Sequence, residues 1–120
     1  MGWIRWGSVM LFAGVLLGAF GAHGLKHSLS PEAREVYQTA VFYHLIHGVG
    51  LLIIGALTLI RPGQDLLQAA GCALVVGIIL FSGSLYLLSL TGVAKFGIIT
   101  PIGGLCFVVG WLLLALASRA

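Results

Sequence analysis

The chain has 120 residues, of which 60% are hydrophobic and 8% charged, where an ordinary water-soluble domain carries roughly 25% charged residues. Six Lys and Arg stand against three Asp and Glu for a net charge of +3, but they fall singly and form no basic patch, which argues against nucleic acid as a partner. A mean hydropathy of +1.14 with no glycine-every-third repeat excludes disorder and collagen, and leaves an integral membrane protein.

A transmembrane helix needs about 20 apolar residues to cross roughly 30 Å of hydrocarbon. The first predicted span covers residues 6–25. Arg5 ahead of an apolar run to Ala22, with Ala19-Phe20-Gly21 as a passable cleavage site, imitates a secretory signal. The run is nevertheless long enough to span and is patterned with glycine, so it is read as a retained helix. At 100° per residue Gly7, Gly14, Gly18 and Gly21 fall on one narrow face, a small-xxx-small seam that lets another backbone approach closely. Trp3 and Trp6 are expected at the membrane interface near its start.

The second span covers residues 36–60, but its helix is expected to start earlier. Ser30-Pro31-Glu32 supplies an N-cap, a proline in the first turn and an acid near the helix N-terminus. Tyr37 is placed at headgroup depth. Tyr37, Ala40, Val41, His44, His47, Gly48, Leu51 and Gly55 share one face, which points both histidines inward with the glycines. Counted from Val36 at 1.5 Å per residue, His44 lies about 12 Å and His47 about 16 Å along the helix. An ionisable residue near mid-bilayer is a functional candidate by default.

The third span, residues 66–90, carries Ser82, Tyr86 and Ser89 at spacings of four and three. The fourth, residues 97–118, opens near Thr100-Pro101, where the proline marks either a helix start or a local break. Gly97 and Gly104 share one of its faces, and Gly103 and Gly110 an adjacent one, so this helix too is expected to pack through glycine, with Gly104 in the seam. Cys72 and Cys106 sit in apolar stretches with no C-x-x-C and no metal-ligand spacing, and read as small buried or lipid-facing residues.

Connections at residues 26–35, 61–65 and 91–95 are short enough to force antiparallel neighbours. The expected fold is an all-α membrane protein, one up-and-down four-helix transmembrane bundle occupying residues 1–120. Arg5, Arg61 and Arg119 fall on one side of the membrane and Lys26, Arg34 and Lys95 on the other. The positive-inside count is thus tied, and the terminal amine tips the choice toward cytoplasmic termini.

Four segments then carry a resemblance: Gly18-Ala19-Phe20-Gly21-Ala22-His23-Gly24-Leu25; Thr39-Ala40-Val41-Phe42-Tyr43-His44-Leu45-Ile46-His47; Phe81-Ser82-Gly83-Ser84-Leu85-Tyr86; and Ile99-Thr100-Pro101-Ile102-Gly103-Gly104. Together they closely resemble the YgdD/YwdK-like family of small membrane proteins, domain of unknown function 423, over nearly the whole chain and in all four helices. The resemblance implies a small four-span protein of the bacterial plasma membrane, in a family without an agreed activity.

Two functions are expected to compete. In the first, the protein works through packing, as a structural element or as the partner of a homo-oligomer or another membrane protein in the lipid bilayer, using the seam of Gly7, Gly14, Gly18, Gly21, Gly48 and Gly104. In the second, His23, His44, His47, Ser82, Tyr86 and Thr100 line a polar cavity open to one side that binds or carries a small solute, a proton or a cation. Catalysis ranks last, since the spans hold no carboxylate and the H-x-x-H of helix two lacks the Glu of a zinc protease. Neither a resident metal nor a cofactor is expected. His44 and His47 share a helix face and cannot ligate one haem iron from opposite sides.

Overall fold

In hydrocarbon the backbone finds no water to bond, so an apolar chain must satisfy its amides and carbonyls internally. The computed structural model describes residues 2–119, and among them this is done by helix alone. Four helices are long and apolar enough to cross a membrane: α1 (Trp3–His23), α2 (Pro31–Ile60), α3 (Asp65–Thr91) and α4 (Ala94–Ala117).

Their ends follow local chemistry. Ser30 caps α2 by accepting the Ala33 amide on its hydroxyl at 3.1 Å, and Pro31 follows in the first turn, as the sequence predicts. Helix α3 stops at Gly92, whose φ of 71° places it in the left-handed region open to glycine, and whose amide donates back to the Leu88 carbonyl at 2.8 Å. Helix α4 opens as a 3₁₀ turn at Ala94–Ile98 and becomes α-helical from Thr100. Pro101 thus sits in a first α turn, where a missing amide costs little, and marks a helix start. At the other end of α4, the Arg61 guanidinium donates to the Ala117 carbonyl at 3.0 Å, placing a cation against the negative end of that helix.

Helix α1 packs chiefly on α2, α2 on α3, and α3 on α4, so the bundle is flattened, with principal extents of 49 × 26 × 18 Å. The α1–α2 seam is an antiparallel zipper of glycines. Gly7 faces Leu52 and the Gly48 carbonyl, Gly14 faces Leu45, Gly18 faces Val41, Gly21 faces the Tyr37 ring, and Gly55 of α2 faces Ile4. Residue numbers across these contacts sum to 55–59, the signature of one continuous antiparallel register. A second apolar core joins the later helices around Leu51, Ile54, Leu74 and Phe107.

Two aromatic residues lie deeper than the sequence suggests. Trp3 is buried, packs on Gly71 and donates its indole N–H to Gln68 at 2.9 Å, while Trp6 stays exposed. Tyr37 is buried as well: the missing side chain at Gly21 admits its ring, and its hydroxyl donates to the Leu17 carbonyl at 2.5 Å. In both cases a glycine on the facing helix makes room for a ring that hydropathy alone places at the surface.

Helix α3 is not a regular α-helix throughout. Residues Ile78–Ser82 form a π turn, and its extra residue turns the following segment by about 100° relative to an uninterrupted helix. Helix α4 meets this turn at Gly103, whose α-carbon faces the backbone of Leu80 and Phe81.

Candidate functional site

The polar side chains inside the spans gather on the inner half of α2 and on α3 from the end of the π turn onward. Ser82, fully buried, donates to the Ala40 carbonyl of α2 at 2.8 Å. That bond ties the end of the π turn directly to α2. One turn along each helix, His44 Nδ1 meets the Tyr86 hydroxyl at 2.8 Å. His44 Nε2 is buried and closes no hydrogen bond, and the ring lies against Gly14 of α1.

His47 points elsewhere. Its Nδ1 lies 2.7 Å from the Tyr43 carbonyl, and its Nε2 lies 2.9 Å from the Trp111 indole nitrogen of α4. A carbonyl can only accept and an indole N–H can only donate, so Nδ1 carries the proton and Nε2 accepts. This is the neutral imidazole, saturated at both nitrogens. The ring also stacks on Phe107 with centroids 3.6 Å apart and planes 10° from parallel. His44 and His47 therefore share the inward half of α2 yet serve different neighbours, α3 in one case and α4 in the other.

Thr100 bonds Ser84 across the α3–α4 contact at 2.6 Å, and Ser84 also donates to the Phe81 carbonyl at 2.9 Å. Ser84 escapes sequence reasoning because a helix counted at 3.6 residues per turn sets it off the face of Ser82, Tyr86 and Ser89. The π turn ends at Ser82, so Ser84 and Tyr86 keep their relative phase in the regular segment that follows, and while Tyr86 faces α2, Ser84 on the other side faces α4. Trp111 and Phe107 are missed as well, since an aromatic residue in an apolar span reads as one more lipid-facing or core side chain.

His23 ends α1, exposed. Since Gly14 faces the His44 ring, His23 stands nine residues further along α1, about 14 Å away. The structure therefore brings His44, Ser82 and Tyr86 together, sets His47 and Thr100 in separate contacts with α4, and leaves His23 outside the group. Among the described residues no three His, Cys, Asp or Glu side chains gather as a metal site would require. Cys72 is exposed and Cys106 half-buried, both as free thiols.

The glycines of the expected seam divide similarly. Gly7, Gly14, Gly18, Gly21 and Gly48 all lie in the α1–α2 zipper. Gly104 does not make a close helix contact: a β-carbon there would meet only the Phe81 ring at 3.7 Å, an ordinary separation. The close approach of α4 is made one residue earlier, at Gly103, because the phase of α4 against the π turn is set by the backbone of α3. Gly104 instead borders a furrow of about 590 Å³ walled by the aromatic rings of Tyr43, Phe81, Phe107 and Trp111.

A family model described as "Protein of unknown function (DUF423)" matches residues 17–104. The UPF0382 membrane protein YwdK of Bacillus subtilis is 39% identical over 112 residues, covering 93% of this chain and 91% of that protein. A UPF0382 membrane protein of Staphylococcus epidermidis is 44% identical over 114 residues, covering 93% and 90%. No solved structure matches the chain significantly.

Proposed function

This chain belongs to the DUF423 family, whose relatives are named membrane proteins, and from that premise we propose that it serves as a helix-packing element of the bacterial plasma membrane, a structural subunit or interaction partner. One four-span domain with both termini in the cytoplasm would do this work. The observation that carries the reading is where the polar groups of the spans direct their hydrogen bonds. Ser82, Tyr86, Ser84, Thr100 and His47 Nε2 bond across helices to side chains or carbonyls of the bundle, while His47 Nδ1 bonds the Tyr43 carbonyl of its own helix. Such bonds between helices replace the hydrophobic drive that lipid cannot supply, each contributing about 0.6 kcal/mol on average and up to about 1.7.

The outer surfaces fit the same role. α1 rests mainly on α2 and leaves Val9, Phe12, Val15 and Leu16 exposed along its outer side, an apolar face suited to a neighbouring helix as well as to lipid. A photo-crosslinking residue at Phe12 should give a discrete protein adduct in native membranes. Adducts to lipid alone, together with a proton or cation flux in proteoliposomes that is lost in His44→Gln, would overturn the reading.

A second reading has one specific observation in its favour. The unpartnered Nε2 of His44 is a buried polar atom of the kind that accompanies a proton or cation site. Binding there predicts a thermal stability that responds to pH between 5 and 8 or to added zinc, and loses that response in both His44→Gln and His44→Leu. A flat response in the parent protein removes this alternative.

A further inference from the structure

The α1–α2 zipper has an outer side, and at its polar end it opens into a furrow of about 280 Å³. On the α1 side Gly18, Gly21 and Ala22 project no more than a methyl group, while Val41, Phe42 and Leu45 of α2 face them and Leu29 and the Tyr37 ring complete the lining. From Arg34 to Leu45 the furrow follows α2 for eleven residues, about 16 Å, which is the depth of one leaflet in a hydrocarbon core of roughly 30 Å.

Its mouth is polar. Arg34 is the one charged residue among those lining it, and Gln38 stands one turn below. The Arg34 guanidinium is held in place by donating to the Lys26 carbonyl at 2.5 Å, which leaves most of its five N–H donors free. Glu35 borders a different furrow, on the other side of Gln38 and Phe42. A narrow apolar trough one leaflet deep, with a fixed cation at the membrane surface, has the shape and charge of an anionic phospholipid: one acyl chain in the trough and the phosphate at the guanidinium.

We propose that this furrow is a binding site for one anionic phospholipid, with its phosphate on Arg34 and one acyl chain lying along Gly18, Ala22 and Val41. The site lies outside the inner polar cluster and does not depend on the function proposed above.

The purified protein in detergent is offered phosphatidylglycerol and phosphatidylcholine with identical chains, and retained lipid is counted by native mass spectrometry. One phosphatidylglycerol per chain should be retained in preference to phosphatidylcholine. Arg34→Gln should lower that preference about fivefold, the weight of one basic residue against an anionic membrane surface, and Arg34→Lys should largely keep it. Ala22 is exposed, so Ala22→Leu fills the trough without disturbing the zipper and should reduce retention of both lipids. Inorganic phosphate alone should give no thermal stabilisation. Equal retention of the two lipids by the parent overturns the proposal even if Arg34→Gln fails to fold. Unchanged retention in Ala22→Leu, stabilisation by free phosphate equal to that by lipid, or a dimer that retains neither lipid would each overturn it too.

Discussion

Gly103 and Gly104 are chain neighbours on α4, and adding one methyl group to each should move stability in opposite directions. A β-carbon at Gly103 would stand 2.7 Å from the Phe81 α-carbon and 2.8 Å from the Leu80 carbonyl carbon. Both atoms are backbone, held within the π turn, and cannot swing aside as a side-chain tip could. Helix α4 would have to withdraw from α3 by more than half an ångström, straining the Ser84–Thr100 bond and the stack of Phe107 on His47. Overpacking of this kind costs about 1 to 3 kcal/mol, while alanine returns up to about 1 kcal/mol of helix propensity. At Gly104 the new β-carbon meets the Phe81 ring at 3.7 Å, so only the propensity gain remains. Gly103→Ala should therefore be less stable than Gly104→Ala by about 1 to 3 kcal/mol, the overpacking cost, since the propensity gain is common to both. Reversible unfolding in mixed micelles by denaturing detergent, followed by helical circular dichroism, measures both variants against the parent. Equal stabilities, or Gly104→Ala as the weaker of the two, would refute the packing assigned to the π turn.

Further outcomes follow from other contacts. A double-mutant cycle between His47→Leu and Trp111→Phe should give a coupling of about 0.6 to 1.7 kcal/mol; zero coupling would mean the indole does not bond the imidazole. His47→Gln retains an acceptor for Trp111 but loses the stack on Phe107, so it should fall between the parent and His47→Leu in the same assay. Tyr37→Phe removes the hydroxyl bond to the Leu17 carbonyl while keeping the ring over Gly21, and should cost about 0.5 to 1.5 kcal/mol, measurable by thermal melting in detergent. Reporters fused at the C-terminus and inserted between Ser28 and Ser30 should report opposite compartments, and identical signals would end the four-span topology.

The sequence alone determined the solvent and the elements. A chain so poor in charge, with four charge-free stretches each near bilayer length, has no other way to satisfy its backbone than four helices, and the start of the second is written locally in Ser30-Pro31. The seam of α1 was legible for a similar reason. Glycines at 7, 14, 18 and 21 recur near the helical period, and a run of missing side chains requires a close neighbour.

What lies between helices was not legible, because it depends on the relative phase of two elements, which a one-dimensional pattern does not carry. How α4 is rotated against the π turn decides that Gly103 rather than Gly104 touches α3, and which helix lies on each side of α3 decides that Ser84 reaches Thr100 while Tyr86 reaches His44. Helical period placed His44 and His47 on one side of α2, but it could not tell that Tyr86 would meet one and Trp111 the other. Trp3 and Tyr37 read as interfacial rings by composition; their burial was decided by Gly71 and Gly21 on the facing helices, since a ring enters a bundle only where the opposite backbone has no side chain to displace.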